Sequence, residues 1–88
     1  MLLKDKIAIV SGVGPGLGKE IALAFAREGA DVVLGARTES YLAEVQAEIE
    51  ALGRRARYAP TDITDQAHCD RLVQTAVDEF GRVDVLVN

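Results

Sequence analysis

The chain has 88 residues, 49% of them hydrophobic and 27% charged, with a formal net charge of −4. That length allows one domain at most, since domains run from about 50 to 250 residues, and the mixture excludes both a disordered tail and a membrane segment. The acidic balance argues against a nucleic-acid partner, because phosphate backbones are held by clustered Lys and Arg. One cysteine, Cys69, forms no intrachain disulfide, and no Cys and His pair has the spacing of zinc ligands. The apolar run behind Lys4, Asp5 and Lys6 breaks at Ser11-Gly12, too short for a signal peptide or a membrane span. A reducing, cytoplasmic setting is the expectation.

Lys6 to Ser11 is a β-branched apolar run, the pattern of a strand buried on both faces. From residue 16 to 28 the apolar positions Leu17, Ile21, Ala22, Ala24 and Phe25 recur at helical spacing until Gly29 stops them. Asp31 to Ala36 reads as a second buried strand. Thr38 or Ser40 then caps a helix with the stripe Leu42, Val45, Ile49 and Leu52, closed by Gly53. Arg54 to Ala59 alternates like a more exposed strand, which Pro60 ends for want of a ladder donor. Thr64 or Asp65 caps a third helix with a predicted buried stripe of Cys69, Leu72, Val73, Ala76, Val77 and Phe80. Gly81 and a fourth strand, Val83 to Val87, follow.

This alternation, βαβαβαβ with short connections, implies parallel strands joined by right-handed crossovers. The expected fold is α/β, a Rossmann-type doubly wound parallel sheet with strand order 3-2-1-4. Ligands of such sheets bind outside the strand carboxyl ends, at the switch between strands one and four.

The residues at that switch are Ser11-Gly12-Val13-Gly14-Pro15-Gly16-Leu17-Gly18. The first amides of the following helix point back at this turn as unpaired donors, and with the helix dipole they make an anion site wherever no side chain obstructs it. Gly12 is read as making the tight turn, Gly16 as admitting a pyrophosphate, and Gly18 as letting the helix lie close to the strand. Spacing excludes two neighbouring motifs. GxGxxG would need glycine where Leu17 or Lys19 stands, and the GxxxxGK[ST] phosphate loop would need glycine at Val13 and a hydroxyl at Glu20. A P-loop mononucleotide binder is disfavoured accordingly.

The remaining pattern, GxxxGxG after a first strand, resembles the short-chain dehydrogenase/reductase family. The likeness runs through the whole chain. Asp62-Ile63 is similar to the family's adenine-contacting acid and its apolar neighbour, and Asp84-Val85-Leu86-Val87-Asn88 to the opening of its strand-four signature, which continues Asn-Ala-Gly. Residues 1–88 then form the N-terminal part of a single NAD(P)-binding domain, ending after strand four. The resemblance implies an oxidoreductase that transfers hydride between NADP(H) and a small carbonyl or alcohol, homo-oligomeric when full length. Ser11, Gly12, Pro15, Gly16, Leu17, Gly18, Arg37, Asp62, Ile63 and Asn88 are its expected cofactor-binding residues.

The choice of cofactor turns on the end of strand two. Folds that prefer NAD place an acid there, about 20 residues past the glycine turn, to bind the ribose hydroxyls. This chain has Ala36 and then Arg37, whose planar fork suits phosphate oxygens, so NADP(H) is favoured over NAD(H). The second marker that many such family members carry, a basic residue before the second glycine, is replaced by Pro15. Arg37 also has a plainer reading as a solvated loop arginine with Glu39 nearby, Asp62 as a turn residue accepting backbone donors, and Asn88 as a tie between strands.

No catalytic residue is assigned. The family's Ser, Tyr and Lys, the Lys four residues after the Tyr, are missing: Tyr41 is followed at that place by Val45 and Tyr58 by Asp62, and no lysine occurs after Lys19. By itself the segment is expected to bind dinucleotide without turnover, and to be marginal or self-associating because strand four has an open edge. The alternative is a non-catalytic dinucleotide-binding module or sensor. His68 and Cys69 are adjacent on one helix, with no orienting partner evident in sequence, and are read as structural.

Overall fold

The computed structural model describes residues 2–12 and 16–87; Pro15 and Asn88 therefore lie outside the described residues. The elements are β1 (Ile7–Ser11), α1 (Leu17–Arg27), β2 (Asp31–Ala36), α2 (Glu39–Ala51), β3 (Ala56–Pro60), α3 (Gln66–Phe80) and β4 (Val85–Val87). All sheet pairings are parallel and the order is β3-β2-β1-β4, as the alternation of elements predicts. Ser11 lies in register with Gly35, and Ala36 with Pro60, so the carboxyl ends of three strands meet on one rim.

Successive strand residues face opposite sides of a sheet, and both sides are covered. Ala8, Val10, Val32 and Leu34 pack with Ala22, Leu23 and Ala26 of α1 and Leu42, Val45 and Ile49 of α2. On the other side Ile7, Ile9, Val33 and Ala59 pack with Leu72, Ala76 and Phe80 of α3. Leu34, Leu42, Ile9 and Ile49 are fully buried, and each such side chain contributes about 1.5–3 kcal/mol. This two-sided burial is why β1 and β2 carry unbroken apolar runs.

The helix ends follow their local chemistry. Gly29, Gly53 and Gly81 follow the three helices with φ of 97°, 86° and 87°, left-handed values natural to glycine. Asp65 caps α3 by accepting from the amides of Ala67 and His68. Thr38 occupies the N-cap position of α2, but its side chain makes no capping bond.

Three sequence expectations need correction. First, the third strand begins at Ala56, not Arg54, and includes Pro60. Arg54 and Arg55 are drawn instead onto the buried Asp31 at the start of β2. Its Oδ2 accepts from Arg55 Nε at 3.0 Å and Nη2 at 2.6 Å, and its Oδ1 from the Arg55 amide at 2.9 Å. Arg54 Nη2 lies 3.2 Å from Oδ1. Pro60 is tolerated as the last residue of an edge strand, and the next amide, Thr61 N, donates to the Ala36 carbonyl at 2.7 Å.

Second, Val73 and Val77 of α3 are exposed, at 42% and 43%. The helix meets β1, β2 and β3 along the narrower line of Leu72 and Ala76, and Leu86 of β4 is exposed too. Third, β4 starts at Val85. Ahead of it the Asp84 carboxylate accepts from Ile7 N at 2.8 Å and from Arg82 Nε at 2.9 Å, a side-chain tie beside the single main-chain bond from Asp84 N to the Ile7 carbonyl at 2.8 Å. No helix among the described residues is long and apolar enough to cross a membrane, and no group of three His, Cys, Asp or Glu among them could hold a metal ion.

Candidate functional site

The glycine turn leaves the carboxyl end of β1 and enters α1. Gly12 has φ 73°, and Gly16, the N-cap of α1, has φ 102° and ψ −124° with no side chain capping the helix. Both conformations are ones that L side chains rarely adopt. A Cβ built on either residue meets no atom within 4 Å among the described residues, which leave the space beside them unfilled. Among the described residues no side chain obstructs Gly12 or Gly16, and the start of α1 has no side-chain cap. An anionic group fits there by the donor chemistry of helix termini.

Gly18 is half-buried in the first turn of α1, and Leu17 before it is 76% exposed. Ser11 is buried at the end of β1, its Oγ donating to the Val87 carbonyl at 3.4 Å. That bond ties the floor of the turn to β4.

Arg37 and Asp62 come together from the ends of β2 and β3. Arg37 Nη2 lies 3.2 Å from Asp62 Oδ1. The arginine side chain is 72% exposed, and an exposed pair of this kind is weak and screened by salt. Glu39, the other acid near Arg37 in sequence, instead accepts from the Tyr58 hydroxyl at 3.4 Å. Asp62 is fixed more firmly from its own loop, with Oδ1 accepting from Thr64 N at 2.9 Å and Thr64 Oγ1 at 2.6 Å. Those two bonds, and then Arg37, hold its carboxyl down to about 2 against the opposing effect of desolvation. It is therefore ionised at every physiological pH. The turn role and the ion-pair role of Asp62 are both present. Ile63 follows it with 62% of its surface exposed.

Two features of this rim escaped the sequence. His68 has partners: its Nδ1 accepts from the Asp62 amide at 3.0 Å, and its Nε2 lies 3.5 Å from Asp65 Oδ2. The expectation of no orienting partner is corrected by the one turn of helix that separates Asp65 from His68. Gly35 is the second. A Cβ there would sit 2.6 Å from Leu72 Cδ2 and 3.1 Å from Thr61 Oγ1. A glycine inside a buried strand signals such a close approach, and that signal was available in the sequence. Thr61 itself is buried, its hydroxyl donating to the Ala59 carbonyl at 2.8 Å.

A parallel sheet in the order 3-2-1-4, with Gly12 and Gly16 between its first strand and first helix, defines a partial Rossmann-type α/β domain. The chain belongs to the short-chain dehydrogenases, whose family model matches residues 6–88. It is 45% identical over 86 residues to an uncharacterized oxidoreductase of Mycobacterium tuberculosis, covering 98% of this chain and 33% of that protein. It is 42% identical over 87 residues to an A-factor type gamma-butyrolactone 1′-reductase of Streptomyces virginiae, covering 99% of this chain and 34% of the relative. Among solved structures, a hydroxysteroid dehydrogenase from Escherichia coli matches with a TM-score of 0.93 and 41% identity, over 98% of this chain and 35% of that one. The chain thus spans about a third of the length of these relatives.

Proposed function

We propose that this chain is the dinucleotide-binding part of an oxidoreductase that transfers hydride between NADP(H) and a small carbonyl or alcohol substrate. The observation that carries this reading is the meeting, on one rim, of the turn at Gly12 and Gly16 with Arg37 and Asp62. The backbone of residues 11 to 18, with Ser11 beneath it and Leu17 beside it, would hold the pyrophosphate at the start of α1. Asp62 and Ile63 would receive the adenine, through a fixed acceptor and an exposed apolar surface. Pro15 and Asn88 are assigned to the same cofactor on the strength of the family pattern.

When bound, the nicotinamide ring supplies the hydride chemistry; the residues of this chain bind and orient the opposite end of the molecule. Arg37 selects the form with a 2′-phosphate. Its pairing with Asp62 is exposed and easily released, so the guanidinium can turn to phosphate oxygens and offer two parallel donors. With Ala36 and Arg37 at the end of β2, no carboxylate stands where NAD-preferring folds place one. The substrate pocket, the proton-transfer residues and any homo-oligomer contacts are assigned to the rest of the protein, which we take to work in the cytoplasm. Residues 1–88 alone are expected to bind cofactor without turnover.

The test is a fluorescence titration of the full-length protein with NADPH and NADH, repeated with Arg37→Asp. NADPH is expected to bind about 10- to 100-fold more tightly, the range for a hydrogen bond between charged groups, and the substitution to abolish that difference. Equal affinities that the substitution leaves unchanged would remove Arg37 from the site.

A further inference from the structure

We infer that His68, in its neutral form, is a positioning residue for the adenine end of the cofactor site, acting through the backbone of Asp62. This rests on the assignment of Asp62 to the adenine given above. The Asp62 amide donates to His68 Nδ1 at 3.0 Å. An imidazole nitrogen accepts only while it carries no proton, so the proton of the neutral ring sits on Nε2, facing Asp65 Oδ2 at 3.5 Å. Asp65 is itself fixed as the cap of α3. The imidazole therefore joins the rigid start of that helix to the loop that presents Asp62 and Ile63. Thr64 and Arg37 hold the carboxylate of Asp62, whereas His68 holds its main chain.

Protonation of His68 puts an N–H where the Asp62 amide already points, and two donors cannot share that bond. The loop then loses that tie to the start of α3, while the bonds of the Thr61 amide to the Ala36 carbonyl and of the Asp65 amide to the Asp62 carbonyl remain. Asp65, Asp62 and, beyond Asp62, Arg37 are the charged groups about the ring. On its own helix Asp70 is engaged by Gln66 and Arg71 lies one turn on. The strands packed against α3 bring Asp31, committed to Arg54 and Arg55, and Arg57, paired with Glu79. A state in which bound adenine requires the fixed loop needs the free lone pair of His68 Nδ1, so dinucleotide affinity falls when acid protonates the ring.

Asparagine places its Oδ1 where Nδ1 of histidine lies and accepts without titrating, which separates position from charge. Binding of NADP(H) to the full-length protein is measured from pH 8 to 5.5 for the unmodified protein, His68→Asn and His68→Ala. Ionisation of the 2′-phosphate affects all three alike. The unmodified protein is expected to lose about three- to tenfold more affinity over this range than His68→Asn, which should match it at pH 8. His68→Ala should be weaker at every pH. In parallel, the Asp62 amide proton, followed by NMR without cofactor, should move with the imidazole titration. Superimposable pH profiles for the unmodified protein and His68→Asn would overturn the inference alone, as would an Asp62 amide indifferent to that titration. Failure of all three proteins to bind dinucleotide would overturn the cofactor reading, and this inference with it.

Discussion

Replacing Asp31 by Ala tests whether the rim opposite the glycine turn is the mechanical anchor of the sheet. The Asp31 side chain is only 2% exposed and receives three hydrogen bonds from Arg55 and an ion pair from Arg54. Its carboxyl lies below the ordinary aspartate range, because the bonds from Arg55 and the charge of Arg54 outweigh the desolvation that raises it. Breaking a buried pair costs about 3–5 kcal/mol, since the surviving charge is left without a partner. Here the surviving charges differ: Arg55 is 61% exposed and rehydrates, whereas Arg54 is 23% exposed, its Nε has no partner, and it keeps only the exposed Asp5 carboxylate, 3.7 Å from Nη2. Discounting for Arg55 leaves about 2–4 kcal/mol for Asp31→Ala.

Urea denaturation should report that loss as a lower midpoint at unchanged slope. The carboxyl is depressed on folding, so its stabilisation is present above the unfolded value of about 3.9 and is lost as pH falls through the folded value. The difference between unmodified and variant protein should narrow in acid accordingly. Cofactor affinity of the folded variant should be unchanged, because Asp31 lies at the other end of β2 from Arg37. A loss under about 0.5 kcal/mol, the range of ordinary surface substitutions, would refute the reasoning.

Other perturbations address the site itself. Gly16→Ala forces a side chain into φ 102°, ψ −124° and should cost about 1–3 kcal/mol of stability by thermal melting, with loss of dinucleotide binding by titration; unchanged binding would contradict the cradle. Gly35→Ala brings a Cβ to 2.6 Å from Leu72 Cδ2 and should destabilise by about 1–3 kcal/mol through overpacking, which Leu72→Ala in the same chain should partly relieve. The Asp62 carboxyl should titrate near 2 by carbon NMR. What it contributes to the loop is complete above the unfolded value of about 3.9 and lost below it as pH falls toward 2; Thr64→Ala should move the titration upward, and no movement would remove Thr64 as its cause.

The fold was legible because its evidence is local. Ile7 to Ser11 and Asp31 to Ala36 announce two-sided burial by their unbroken apolar runs, and each helix carries its stop glycine. What stayed hidden depends on surfaces that a stripe does not encode. Val73 and Val77 have the right spacing to be buried, but burial also requires a surface to cover them, and both remain exposed. Arg54 and Arg55 suit an alternating strand as well as a loop, and the choice was made by a carboxylate 24 residues earlier. At the site, the turn could be read from spacing, since glycines with positive φ leave a sequence signature. The bond from Asp62 to His68 could not, because it depends on how tightly the intervening loop curls.

The staple at Asp31 and the arginine at position 37 sit at opposite tips of the same short strand. On the proposed role of Arg37, substitutions that retune which coenzyme is accepted would fall where little of the folding free energy is stored, and a lineage could drift between coenzymes without first acquiring compensating stability elsewhere.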